Sequence, residues 1–153
     1  MEKTEISPVC FTTNKKDLEN AIKKVKHGVA KKSVLPILGS YLFETKSNGV
    51  TIRATDLEIQ IEVEIDNIVM SSDYQHYEES SFVVDAKTLE KILKTLPKEE
   101  EIELHYCSEV DNVWNLGIST QDVSLQISTL DAEEFPVSIK LEKIDFQTDN
   151  FPK

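Results

Sequence analysis

Two stretches of the chain place their apolar residues with a helical period, and one is a copy of the other. In Ala86–Leu96, the residues Leu89, Ile92, Leu93 and Leu96 recur at i, i+3, i+4 and i+7, the stripe of an amphipathic helix. Asp85 precedes it as an N-cap, because its side-chain oxygen can accept a free N–H of the first turn. Pro97 stops it, since proline cannot continue the ladder. Lys87, Lys91, Lys94 and Lys98 fall on the opposite face. These like charges sit three and four residues apart, at a cost of roughly 0.2–0.5 kcal/mol per pair in an isolated helix. Seventy-one residues earlier, in a helix expected over Asn14–His27, Leu18, Ala21, Ile22 and Val25 repeat the stripe. There Asn14 replaces Asp85, and Lys16, Asn20, Lys23 and His27 replace the four lysines. Gly28 is read as a C-terminal cap. Phe146–Asp149 echoes Phe11–Asn14 and reads as the opening of a third unit.

The remaining periodicity is that of strands. Pro8–Thr13 leads into the first helix, and Phe82–Val84 into the second. After the basic turn Val29–Ser33, Leu35–Gly39 enters a strand through Thr45. Ser47–Gly49 is a hairpin signal, and Val50–Thr55 returns. From Asp56 to Asp66, Leu57, Ile59, Ile61, Val63 and Ile65 alternate with Glu58, Gln60, Glu62 and Glu64, predicting one strand with an acidic outer face. Asn67–Ser80 reads as a polar connector. Ile102–Cys107, Val113–Ser119 and Val123–Ser128 complete the second half, with turns at Glu109–Asn112 and Thr120–Asp122. Each half is strand, helix and three antiparallel strands. The prediction is an α+β fold of two such half-repeats, with two basic helices packed on antiparallel sheets of about eight strands in all.

Charge changes this picture more than composition does. The 153 residues carry a net charge of −11, which by itself argues against a nucleic-acid partner. Its distribution argues the other way: residues 14–32 sum to +5, residues 86–98 to +3, and the remainder to −19. Where charge sits decides the field. Two basic helices on an acidic body predict one positive and one negative surface. No run of 18 apolar residues exists, so no membrane span and no membrane partner is expected. The acidic, polar start MEKTEISPVCF is unlike a signal peptide. Cys10 and Cys107 show no metal-type spacing. Together these predict a cytoplasmic protein with two reduced thiols.

Little in the chain suggests catalysis. His76, Glu78 and Glu79 lie in a polar connector with generic spacing and are not read as metal ligands. Asp56 and Glu58 have no nucleophile or base beside them, and Asp56 is assigned to a turn. His27 joins the basic face, His105 alternates within a strand, and Trp114 is read as core or rim rather than as a base-stacking platform. There is no phosphate-binding glycine loop, nucleophile elbow or H-E-x-x-H motif, and only four glycines. No cofactor and no metal is expected.

Four segments, in order along the chain, resemble the first domain of the bacterial DNA polymerase III beta subunit, the sliding clamp. They are Ser33–Ser40 (SVLPILGS), Thr55–Glu58 (TDLE) with its alternating strand, Val84–Leu96 with Pro97, and Ser128–Pro136 (STLDAEEFP). The resemblance implies a non-catalytic processivity factor: a ring of identical three-domain protomers around duplex DNA, with helices lining the hole. It implies a replicative polymerase and a clamp loader as partners of the complete clamp. It also implies sequence-independent DNA contacts from Lys16, Lys23, His27, Lys31, Lys32, Lys87, Lys91 and Lys94, Lys32 occupying the place of a basic residue before LPILG. Leu125 and Ile127 fall where the family places its ring interface. The family's boundary divides the chain into one clamp-type domain over 1–143 and the truncated start of a second clamp domain, or a linker, over 144–153. The alternatives are an acidic protein-interaction module of the same fold that binds no DNA, and a small hydrolase using the acidic strand.

Overall fold

Both copies of the amphipathic pattern fold as the sequence predicts, but the strands that lead into them change places. The computed structural model describes residues 9–32, 35–46, 49–71, 80–98, 101–110 and 113–136. The first half contributes β1 (Val9–Asn14), α1 (Lys15–Val25), β2 (Ser40–Lys46), β3 (Gly49–Thr55), β4 (Gln60–Glu64) and a short β5 (Val69–Met70). The second contributes β6 (Ser80–Asp85), α2 (Ala86–Thr95), β7 (Glu101–Val110), β8 (Val113–Ser119) and β9 (Ser124–Ser128). One sheet runs β5-β1-β7-β8-β9 and the other β4-β3-β2-β6. Each helix-bearing strand thus joins the meander of the opposite half. β1 pairs with β7 from Val9↔Tyr106 to Asn14↔Glu101, and β6 pairs with β2 from Thr45↔Ser80 to Ser40↔Asp85. The 71-residue repeat holds at the level of elements, since β1–α1 and β6–α2 begin at Val9 and Ser80 and at Lys15 and Ala86.

The exchange ties the halves into one core. Leu18, Ala21, Ile22 and Val25 of α1 and Leu89 and Leu93 of α2 are buried with Phe11, Tyr41, Phe43, Ile52, Phe82, Leu104 and Leu116. Each fully buried Leu, Ile or Phe contributes about 1.5–3 kcal/mol over its exposed state. A column of rings crosses between the sheets: Phe43 stacks on Phe82 (centroids 4.9 Å apart), Phe82 on Tyr106 (4.7 Å), and Trp114 tilts against Tyr106 (5.0 Å). Trp114 is half-buried, at the rim of that column. A smaller cluster joins Ile37, Leu38, Leu42, Val83 and Phe135. The LPILG and STL…FP segments therefore meet in one cluster with β6, to which the latter is tied by the Leu130 N–H donating to the Val83 carbonyl at 2.9 Å.

Several expectations are corrected. The strand expected over Asp56–Asp66 is β4 alone. Asp56 accepts the N–H groups of Glu58 and Ile59 at 2.8 and 2.9 Å, which makes Asp56–Ile59 a turn. Leu57, at φ 82°, is 62% exposed, so its place in the apolar alternation reflects no buried face. The connector Asn67–Ser80 contains β5, too short to show a period, which pairs with β1 at Phe11↔Met70 and Thr12↔Val69. With β5 the described residues hold nine strands, in keeping with the expected count of about eight. LPILG forms a 3₁₀ turn, Pro36–Gly39, before β2. Helix α1 stops at Val25 and continues as a 3₁₀ turn over Lys26–Gly28. Gly28 does not adopt the left-handed conformation of a glycine cap. A Cβ there would lie 2.9 Å from the Ala54 carbonyl oxygen of β3, so glycine is needed for close approach. The boundary at Lys143 and the start at Phe146 lie outside the described residues.

Candidate nucleic-acid interface

Burial of the apolar stripe turns the opposite face of each helix to solvent. Lys16, Lys23 and His27 on the first basic segment, Lys31 and Lys32 after it, and Lys87, Lys91 and Lys94 on α2 are all exposed. Among the described residues none of them is joined to a carboxylate. Asp85 caps α2 as expected, its Oδ2 accepting from the Thr88 N–H at 3.0 Å. Asn14 holds the N-cap position of α1 but makes no side-chain cap bond. Its amide instead donates to Asp17 Oδ2 at 3.0 Å, and Asn67 donates to the same oxygen at 3.0 Å. The Asn67 and Asn14 amides hold the Asp17 carboxyl below its ordinary value.

One lysine of the basic segment does not belong to the solvent face. Lys15 is 5% exposed, and its Nζ donates to the Leu96 carbonyl at the end of α2 at 2.6 Å. Sequence reasoning left it unassigned, although its spacing of three and seven from Leu18 and Ile22 places it on the apolar stripe. The bond joins the start of α1 to the end of α2.

Other acidic groups lie on the strands. On β4, Glu62 and Glu64 face out, and Arg53 of β3 bridges Glu44 on β2 at 2.8 Å and Glu62 on β4 at 3.0 Å. Asp56 serves its turn, and the N–H groups of Ile59 and Glu58 hold its carboxyl below the ordinary value. No group of three His, Cys, Asp or Glu among the described residues is placed to hold a metal ion. His76, Glu78 and Glu79 fall outside those residues. No helix among the described residues is long and apolar enough to cross a membrane.

Leu125 and Ile127 lie on β9, the last strand of its sheet, which among the described residues pairs only with β8 (Leu116↔Ile127, Ile118↔Leu125). Both side chains are half-buried against the core, so what β9 leaves open is its backbone edge.

Comparison with known proteins decides the family. A family model described as the DNA polymerase III beta subunit, N-terminal domain, matches residues 9–140. The chain belongs to this family. Among polymerase III beta subunits, it is 30% identical over 118 residues to the beta sliding clamp of Halalkalibacterium halodurans, covering 75% of this chain and 29% of that protein. It is 25% identical over 146 residues to a beta sliding clamp of Vibrio harveyi, covering 90% of this chain and 93% of that one. The fold matches the sliding clamp of Bacillus subtilis with a TM-score of 0.73 at 25% identity, over 90% of this chain and 35% of that chain. It also matches the C. crescentus clamp with a TM-score of 0.75 at 21% identity, over 88% and 33%. The chain thus spans about a third of the solved beta subunits it resembles.

Proposed function

We propose that this chain acts as the first domain of a DNA sliding clamp, a non-catalytic processivity factor that works in the cytoplasm by encircling duplex DNA. One observation carries the reading: eight exposed basic residues on or just after two helical segments form no ion pair with a carboxylate among the described residues, and Lys15 joins the start of α1 to the end of α2. Lys16, Lys23, His27, Lys31, Lys32, Lys87, Lys91 and Lys94 contact backbone phosphates. Such contacts position a protein without reading sequence, as sliding requires. The β9 edge with Leu125 and Ile127 supplies the contact to a neighbouring protomer. The complete ring holds DNA by topology, and the polymerase and clamp loader act on that ring.

Duplex binding by the domain alone is then weak, with Kd around 10⁻⁴–10⁻⁶ M at physiological salt. Each neutralised phosphate contributes about −0.9 to the slope of log K against log salt. Replacing Lys87, Lys91 and Lys94 together with glutamate flattens that slope. An unchanged slope in a fluorescence titration removes these residues from the interface and favours a clamp-fold module that binds protein instead.

A further inference from the structure

Both helices carry a glutamate where it would neutralise the cationic face, and in both it is turned elsewhere. Glu90 stands three residues after Lys87 and four before Lys94, and Glu19, its equivalent in the repeat, stands three after Lys16 and four before Lys23. Glutamate four residues N-terminal to lysine is the favourable order for an ion pair on a helix. Among the described residues, none of these four pairs forms. Glu90 instead accepts the hydroxyl of Tyr41 on β2, a residue with no solvent exposure. Glu19 lies 3.9 Å from the buried Nζ of Lys15. Asp17, the third carboxylate on the helices, is taken by the two asparagine amides.

We propose that Tyr41 and Lys15 are positioning residues of the cationic face: they draw Glu90 and Glu19 away from the lysines and leave those charges free for phosphate. Resting on the DNA-binding reading, the idea explains how a lysine face stays unpaired in an acidic chain. The competition favours the buried partner. A phenol enclosed in the core requires an acceptor, whereas an exposed pair on a helix surface gains little. Burial and the adjacent carboxylate push the Tyr41 phenol well above its ordinary value, so it remains a donor. In α1, the Lys15 ammonium has lost most of its water and gains from a nearby carboxylate. Its other partner is the neutral Leu96 carbonyl.

The test compares the chain with Tyr41→Phe and with Tyr41→Phe/Glu90→Gln, reading the salt dependence of binding to a duplex of mixed sequence. Losing the hydroxyl releases Glu90 onto Lys94 or Lys87 and removes up to one effective charge. The slope should fall by up to about 0.9, which weakens binding at 0.1 M salt by up to about 8-fold. Glutamine cannot neutralise lysine, so the double variant should recover the wild-type slope. A purely structural effect of Tyr41→Phe would persist in it. A wild-type slope in Tyr41→Phe, or a loss that Glu90→Gln does not rescue, overturns the proposal. Lys15→Met and Lys15→Met/Glu19→Gln test α1 by the same two criteria, and stand in if Tyr41→Phe does not fold. If the wild-type chain shows no salt-dependent DNA binding, the DNA reading fails, and a crystal structure of Tyr41→Phe decides the diversion alone. Glu90 within ion-pair distance of Lys94 or Lys87 supports it, and Glu90 turned elsewhere refutes it.

Discussion

Gly28→Ala sets two effects of opposite sign against each other. Gly28 is buried where the 3₁₀ turn after α1 meets β3, and its φ is one that alanine adopts freely. Removing a glycine from the unfolded chain therefore favours folding by about 0.4–1 kcal/mol. Against this, the new Cβ would sit 2.9 Å from the Ala54 carbonyl oxygen, 3.3 Å from its carbon and 3.4 Å from the Ala54 Cβ. The nearest of these atoms is backbone near the end of β3, paired as Ala54↔Ile61 on the β4 side, so it does not swing aside as the end of a side chain would. Forcing an extra carbon into a packed site costs typically about 1–3 kcal/mol. The steric term is the larger, and the expected net loss is about 1–2 kcal/mol, or roughly 2–8 °C in Tm for a domain of this size. Urea denaturation followed by circular dichroism reads this as a lower midpoint at constant m. A midpoint equal to or above that of the wild type would refute the reasoning, because it would mean that the turn and β3 have slack to separate.

Other predictions concern the edge, the acid limit and the assembly. Ile127→Lys keeps the stem of the new side chain on the core and its ammonium at the rim, so the fold should persist while any self-association through β9 falls. A dimer in sedimentation that this change does not weaken places the interface elsewhere. Because Asp17 is held below its ordinary value, its contribution to stability is present above about pH 4 and lost as the pH falls through the lower folded value. Asp17→Asn should make stability less dependent on pH in that acid range, and an unchanged profile would show that the two amide bonds contribute nothing. On the proposed reading the chain is one arc of a ring, so with a polymerase and primed template it should not lengthen products. Lengthening that survives on linear templates with free ends would point to an ordinary polymerase-binding accessory protein.

The helices were legible because their determinants are local. Four apolar residues at helical spacing, a capping Asp85 and a stopping Pro97 lie within a dozen or so residues, and the repeat of that pattern predicted the two-half plan. The lysine faces followed, since burying one stripe exposes the other. The same local reading misjudged Asp56–Ile59, where a run of alternating apolar residues was overruled by one carboxylate accepting two backbone N–H groups. What the tertiary structure alone decided depends on partners far apart in the chain. The exchange of β1 and β6 between sheets is an outcome of which edges the cores bring together, and no strand's own pattern names its neighbour. Strand β5 exists because β1 offers it a free edge. Lys15 and Leu96 are separated by 81 residues, and Tyr41 and Glu90 by 49. The sequence shows a lysine on an apolar stripe and a glutamate beside lysines, but only folding supplies the carbonyl and the hydroxyl that claim them. Periodicity reports which face of an element is buried; the group it meets there is set by packing between distant segments.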